Sequence, residues 1–399
     1  MKLIHFSPEH LRLDAALPFG VRDATGRLLL TAGATISNAE RLEFLRTQAL
    51  YADEEESLEW RRKLGAAVGA MLRQNAPLKS IADARPQDAA TAASAQQESL
   101  PDQWESLALL LDSALRDARP EPEFVARIRL VHDRASKLAQ HHTDASLYHL
   151  VHAAGHSLEK YSSHHALLVM VVCEQAAQLL GWTPEQVQCV GRAALTMNVA
   201  MVALQDQLAA SDVALTPAMR EQIQAHAAQG AHLLQQAGVE PLWVEVVRLH
   251  HDRGDGQLPL AELPQERQLA RLLRRADIFT AKVSRRRTRP PMSPVQAARE
   301  ACLGSDGVPD EVGAALLRAT GLYPPGSFVE LANGERGIVV ARGRRANLPW
   351  VASLVSSSGM ALGEPALRDT VEARFAVRSA LASSAVKVRP DHTRILALR

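Results

Sequence analysis

His250-His251-Asp252-Arg253-Gly254-Asp255-Gly256-Gln257-Leu258-Pro259 gathers two adjacent imidazoles, two carboxylates and a guanidinium around a Gly-Asp-Gly turn. The amphipathic run Leu242 to Leu249 ahead of it predicts a helix, so the two histidines stand where helix gives way to loop. Neutral imidazole is a common cation ligand, and a helix end can aim side chains into a cleft. Three further residues could complete such a centre: His165 at the head of an apolar helical run, His226 in mid-helix within Ala225-His226-Ala227-Ala228-Gln229-Gly230, and Asp277 in Arg275-Ala276-Asp277-Ile278-Phe279. Four imidazoles and one carboxylate from separate helices of one bundle suit iron, manganese or zinc. A cation held there would lower the pKa of bound water toward ~7 and polarise a phosphoryl oxygen, as phosphodiester hydrolysis requires. The competing reading makes His226 a satisfied core histidine, Asp277 a helix-surface acid, and His250, His251 and Asp255 a turn device.

The elements that must position these residues are mostly helical. Thr183-Pro184-Glu185-Gln186, Thr216-Pro217-Ala218-Met219 and Ser293-Pro294-Val295-Gln296 each put a hydroxyl at the N-cap and proline at the first helical position, where its missing N–H costs nothing. Gly181 and Gly238 read as helix stops. Residues 104–320 are therefore expected to form a helical domain, with 166–180, 185–205, 217–237 and 241–251 supplying most of its core. Within it Leu107, Leu110, Leu111 and Leu115, then Phe124, Ile128, Val131 and Leu138, mark two amphipathic helices. Residues 1–60 read as a small α+β module: strand, turn at Asp23 to Gly26, strand, then a helix capped near Ser37 with Leu42 and Leu45 on one face. Residues 61–103 read as a helix, Trp60 to Gln74, and a flexible Ala/Gln/Ser/Pro linker, Pro77 to Pro101. Residues 321–399 read as a β-rich segment opened by a hairpin around Asn333-Gly334.

Composition narrows the classes. Lysine and arginine total 45 against 44 acids, so bulk charge gives no reason to expect DNA, RNA or a membrane surface. The three cysteines, Cys173, Cys189 and Cys302, lack CxxC spacing, which fits a reducing cytoplasm. Met1 to His10 has no apolar h-region, and the longest apolar run, Ala166 to Cys173, is too short to span a bilayer, so no membrane span and a cytoplasmic location are expected. His149, His152 and His156 share a helical face, with His152 and His156 at the i, i+4 spacing that can chelate; a solvated face is the plainer reading. Arg271, Arg274, Arg275, Lys282, Arg285, Arg286, Arg287 and Arg289 form a basic run that could meet phosphate or solvent.

Taken in order, these landmarks resemble the HD-GYP family, a branch of the HD phosphohydrolases that hydrolyse cyclic di-GMP. The resemblance runs from about residue 160 to 350. His165 matches the family's helix-head histidine, His226 to Gly230 its His-x-x-x-Gly, and His250 to Pro259 its His-His-Glu-Arg-x-Asp-Gly-x-Gly-Tyr-Pro with one gap. Ala276-Asp277, Ala281, Arg286 and Arg289 match in part the Ala-Asp-x-x-Asp-Ala to Arg-Pro-Tyr-Arg stretch, and Ser293-Pro294 and Gly321 to Gly326 continue the match. The resemblance implies an HD-type all-α bundle, metal ligands at His165, His226, His250, His251 and Asp277, and dinucleotide phosphates facing Arg286 and Arg289.

The departures fall on the metal-bridging motif. The family's His-Asp-x-Gly-Lys reads Met197-Asn198-Val199-Ala200-Met201 here. The glutamate one turn before the first histidine reads Tyr161, Gly-Tyr-Pro is reduced to Leu258-Pro259, and Thr280 replaces the second acid of Asp-x-x-Asp. An amide is neutral and a thioether is soft, so neither replaces a bridging carboxylate or an imidazole between hard cations. The resemblance therefore implies a cyclic di-GMP signalling protein whose phosphodiesterase is degenerate, a scaffold or nucleotide-responsive adaptor; the alternative is a hydrolase working with a one-metal site. One iron or manganese ion is expected, or none if the centre is fully lost. The expected partners are cyclic di-GMP and a protein, with a homodimer as one arrangement.

Overall fold

The computed structural model describes residues 3–6, 11, 13, 17, 19–47, 49–54, 56–58, 60, 62, 65 and 99–398, apart from 213, 253–257, 290, 304–306 and 383–384. The chain forms two compact units, Met1–Ser99 and Leu100–Arg399. Most of the expected helix after Trp60, and nearly all of the expected linker, lie outside the described residues.

In the first unit β1 (Leu3–Phe6), β2 (Val21–Arg22), β3 (Leu28–Leu30), α1 (Ala39–Arg46) and β4 (Leu50–Asp53) follow in order. The strands form an antiparallel sheet in the order β1-β4-β2-β3. The expected turn closes with Gly26 N–H on the Asp23 carbonyl, and Gly26 takes φ +86°, a conformation glycine adopts without strain. Leu42 and Leu45 of α1 are buried against Val21, Leu30, Ile36 and Leu50.

The second unit is a helical bundle followed by a sheet. Its helices are α2 (Leu100–Arg116), α3 (Pro122–His141), α4 (Thr143–His156), α5 (Tyr161–Leu179), α6 (Pro184–Thr196), α7 (Val202–Ala210), α8 (Pro217–Gln236), α9 (Pro241–Leu249), α10 (Gln265–Val283), α11 (Pro294–Cys302) and α12 (Glu311–Thr320). After them come β5 (Phe328–Leu331), β6 (Arg336–Ala341), β7 (Trp350–Val355), β8 (Ala361–Asp369), β9 (Val377–Leu381) and α13 (His392–Leu396). The molecule is thus mainly α, an all-α bundle with small sheets towards each end of the chain.

α5 is the axis of the bundle: almost every residue from Tyr161 to Ala177 is buried, as expected of a helix apolar on all sides. Thr183, Thr216 and Ser293 each accept the backbone N–H three residues on, and Thr183 with Gln186 completes a capping box. Gly181 and Gly238, just past α5 and α8, both take φ +75°. In α2 the buried stripe is Trp104, Leu107, Leu111 and Leu115, whereas the expected Leu110 faces outward at 43% exposure, because Trp104 shifts the apolar face.

Residues 184–210 are apolar and long enough to cross a membrane by length and composition, yet 67% of an apolar 18-residue stretch within them is buried inside the fold. The segment is also interrupted: α6 ends at Thr196, and a single 3₁₀ turn, Val199–Met201, joins it to α7. The C-terminal sheet is antiparallel, in the order β8-β7-β6-β5-β9. Its hairpin pairs Phe328 with Ile338 and turns at Asn333-Gly334, where Gly334 takes φ +86°.

Candidate metal centre

His226 lies in the middle of α8, and His250 and His251 follow the last residue of α9. The two helices are adjacent, and their packing brings the three imidazoles together. His226 Nε2 is 3.3 Å from His250 Nε2 and 3.2 Å from His251 Nε2. One ligand atom from each of the three lies within 4.8 Å of the others. His226 and His250 are fully buried, and His251 is exposed.

The backbone fixes two of the tautomers. His226 Nδ1–H donates to the Ile223 carbonyl at 2.5 Å, and His250 Nδ1–H donates to the Val247 carbonyl at 2.6 Å. A carbonyl cannot donate, so the proton of each neutral ring sits on Nδ1 and each Nε2 carries a lone pair. Two such lone pairs facing each other at 3.3 Å repel unless a proton or a cation lies between them. The proton is disfavoured. Burial, then the neighbouring His251, pushes His250 down to about 3. Burial also lowers His226. The donor set therefore fits one cation, with Nε2 atoms as ligands.

The negative charge comes from α10. Asp277 Oδ1 is 2.7 Å from His165 Nε2, in the second turn of α5. Burial alone would raise the Asp277 carboxyl, but the His165 hydrogen bond and the imidazoles of His165, His250 and His251 outweigh it and hold it below the usual range. His165 gives its Nε2 to Asp277, and its Nδ1 is buried without a hydrogen-bond partner. Tyr161, one turn earlier, stacks on His165 with ring centroids 5.7 Å apart and planes within 9°. The head of α5 is anchored by Asp206 of α7, whose carboxylate accepts from Ser162 N–H at 2.8 Å and pairs with Arg116.

The turn after α6 runs alongside His226. Gln222 Nε2, one turn before it, donates to the Ala200 carbonyl at 3.3 Å. Gly230, one turn after it, faces the same segment: a Cβ there would lie 3.2 Å from Val199 Cγ1 and 3.9 Å from the Met197 carbonyl. The glycine of the His-x-x-x-Gly spacing thus lets α8 approach the turn that carries Met197 and Asn198. Met197 is buried, and neither residue brings a charge to the centre. The hydrogen bond from Trp243 Nε1 to Thr196 Oγ1, 2.9 Å and buried, fixes α9 against the end of α6 just before this turn.

The basic run divides on structural grounds. Arg275 makes a bidentate pair with Asp310 at 2.5 and 2.6 Å, and Lys282 pairs with Glu300. Arg267, Arg271 and Arg274 of α10 hold the loop beyond His251 through Asp252 and the Leu258 carbonyl. The Gly-Asp-Gly turn between those contacts lies outside the described residues. Arg286 and Arg289 close a tight turn on each other, N–H to carbonyl at 3.1 Å in both directions. The turn is tied to α4 by Arg285 N–H on the Ala154 carbonyl, and to α7 by Arg287 N–H on the Ala209 carbonyl, 2.8 Å each. Arg286 reaches the Tyr161 hydroxyl at 3.4 Å, and the Nε atoms of Arg286 and Arg289 are buried without hydrogen-bond partners. Sequence reasoning did not foresee the role of Tyr161 as the link between this turn and His165, because nothing local marks an aromatic ring for stacking across a helix turn.

The class this geometry defines is a helical-bundle protein with a polyhistidine–aspartate centre flanked by an arginine turn. No family model matches the chain. Over 193 residues, 48% of this chain, it is 27% identical to a Pseudomonas aeruginosa protein described as the cyclic di-GMP phosphodiesterase PA4108. The chain spans about half the length of that curated relative, 47%. Among solved structures, a Bdellovibrio bacteriovorus protein described as an HDG"Y"P protein aligns with TM-score 0.44 and 16% identity, over 79% of this chain and 98% of that one. The resemblance to the HD-GYP family is thus borne out by a curated relative.

Proposed function

We propose that this chain is an HD-GYP-like cyclic di-GMP signalling protein that has lost the second metal position and acts as a nucleotide-responsive scaffold or adaptor. The single observation carrying this reading is the asymmetry of the centre. His226, His250 and His251 bring ligand atoms within 4.8 Å of one another, and His165 pairs with Asp277, while the turn packed alongside α8 carries Met197 and Asn198 in place of an imidazole and a carboxylate. One iron or manganese ion would be held by His226, His250 and His251, with Asp277 supplying charge. When bound, the ion would provide a Lewis acid beside the arginine turn. Arg286 and Arg289 would receive the dinucleotide phosphates, and their unpaired buried Nε groups would gain acceptors. The cytoplasmic location, the protein partner and homodimerisation belong to the same reading.

The test is turnover and binding measured side by side. Cyclic di-GMP binds in calorimetry, the Arg286→Glu/Arg289→Glu variant loses that binding, and no hydrolysis follows with added Fe²⁺ or Mn²⁺. A second reading, a one-metal phosphodiesterase, is favoured by the same convergent lone pairs. Metal-dependent turnover that disappears in His251→Ala would establish it and overturn the first.

A further inference from the structure

A second set of histidines lies away from the metal centre, where α4 meets the C-terminal sheet. The plainer sequence reading made His152 and His156 a solvated face. His156 is exposed, as that reading expects, and His152 is half-buried; their rings stack at 3.9 Å with planes 26° apart, and Phe328 of β5 packs against both at 6.1 and 6.0 Å. His392, at the start of α13, joins them from far along the chain, 4.5 Å from the His152 ring. Its Nδ1 lies 2.9 Å from the Tyr148 hydroxyl. Beside this stack the segment buries Val386 and Ile395 in a core shared with Tyr148, Phe328, Ile338 and Val340. Residues 385–398 are therefore strapped onto α4 by apolar anchors and by imidazoles packed ring to ring.

The spacing of His152 and His156 invites a cation, but the geometry does not. The rings lie face to face, His156 Nδ1 is engaged by the His152 carbonyl at 2.8 Å, and His392 Nδ1 faces Tyr148. Among the described residues none of His152, His156 and His392 has a carboxylate at ion-pair distance. The charged groups around the stack come from several elements. Glu105 of α2 is 3.5 Å from His149, and the Arg285 guanidinium contacts the His156 carbonyl at 3.3 Å. From the C-terminal segment, Arg389 and Asp391 act on His392, and Asp391 is itself paired with Arg394. A proton added to this stack meets rings rather than an acid.

We propose that residues 385–398 form a proton-sensitive latch on α4, docked while His152 and His392 are neutral and released as these two rings charge. The electrostatics agree in sign. Burial, then His156, His392 and His149, pushes His152 down to about 3, and burial likewise lowers His392. Undocking returns both rings to water and to an ordinary value near 6.5, so the undocked state binds more protons. Docking is complete above about pH 6.5 and weakens about tenfold per pH unit below it for each ring released. The latch needs neither metal nor nucleotide, so it stands or falls apart from the proposed signalling role.

Hydrogen exchange of the full chain, corrected for intrinsic rates and followed from pH 7.5 to 5.5 without metal or nucleotide, tests it. The expected result is at least a tenfold loss of protection in 385–398 at the lower pH, with α12, which carries no histidine, unchanged. His392→Phe keeps an aromatic ring without a titrating group and should flatten that dependence, as should His152→Gln. Protection of 385–398 independent of pH in the wild type overturns the proposal, and so does an undiminished pH dependence in both variants. Zn²⁺-induced protection at pH 7.5 that is lost in His392→Phe would replace the latch with a metal site. If either variant undocks at every pH, the wild-type profile alone decides.

Discussion

Two groups of clustered imidazoles sit in one unit, and their geometries differ. Around His226 the other two rings meet it edge to face, the Nδ1 protons of His226 and His250 are consigned to backbone carbonyls, and their Nε2 lone pairs face each other. Around His152 one ring, His156, stacks and another, His392, meets it edge-on, and no acid stands at ion-pair distance from His152, His156 or His392 among the described residues. A third buried histidine, His132, shows the remaining possibility: it pairs with the buried Glu174 at 2.8 Å, which Ser136 also satisfies at 2.8 Å. Histidine count therefore says little. What decides the chemistry is where the ring proton is parked and whether an anion is near.

The strongest way to break that contrast is to remove ligands. His250→Ala or His226→Ala should weaken Mn²⁺ binding about 100-fold or more, judged against the 10–100-fold typical of merely supporting residues, while His152→Ala leaves it unchanged. Equilibrium dialysis reads this directly, and equal losses at both clusters would erase the distinction. Next in size is the structural pair. Glu174→Ala strands a buried imidazole and should cost about 3 kcal/mol in urea unfolding, with no effect on metal affinity. Gly191→Ala should follow the same direction, since its Cβ would fall 2.4 Å from Glu174 Oε1. Smaller again is the arginine turn: Arg289→Ala should weaken cyclic di-GMP binding roughly 10-fold in calorimetry, the usual worth of one charge-assisted contact. The smallest is Tyr161→Phe, which removes one long hydrogen bond to Arg286 and should change that affinity less than about 5-fold.

Local signals carried most of the fold. A Ser/Thr-Pro start or an Asn-Gly turn is settled within four residues, so the caps at Thr183, Thr216 and Ser293 and the hairpin at Gly334 were legible. His165, His226, His250, His251 and Asp277 could be picked out because their order and spacing resemble a known family; the fold groups His226, His250 and His251, and pairs His165 with Asp277. What stayed hidden depends on distant partners. Arg275 looked like part of a phosphate-facing run until Asp310 was placed against it. The break at Met197 to Met201 sits inside a largely apolar run, and nothing local marks that α8 approaches it closely at Gly230. His156 is exposed as expected, while the half-burial of His152 stayed hidden because nothing near it in sequence points to His392.

The central claim is that the centre keeps one cation position and has lost the other. Metal content of the full chain, reconstituted with Mn²⁺ and freed of excess ion, measures it most directly. One ion per chain, absent in His250→Ala, is the expected result. Two ions per chain would contradict it, since Met197 and Asn198 would then be serving as ligands that their chemistry does not favour.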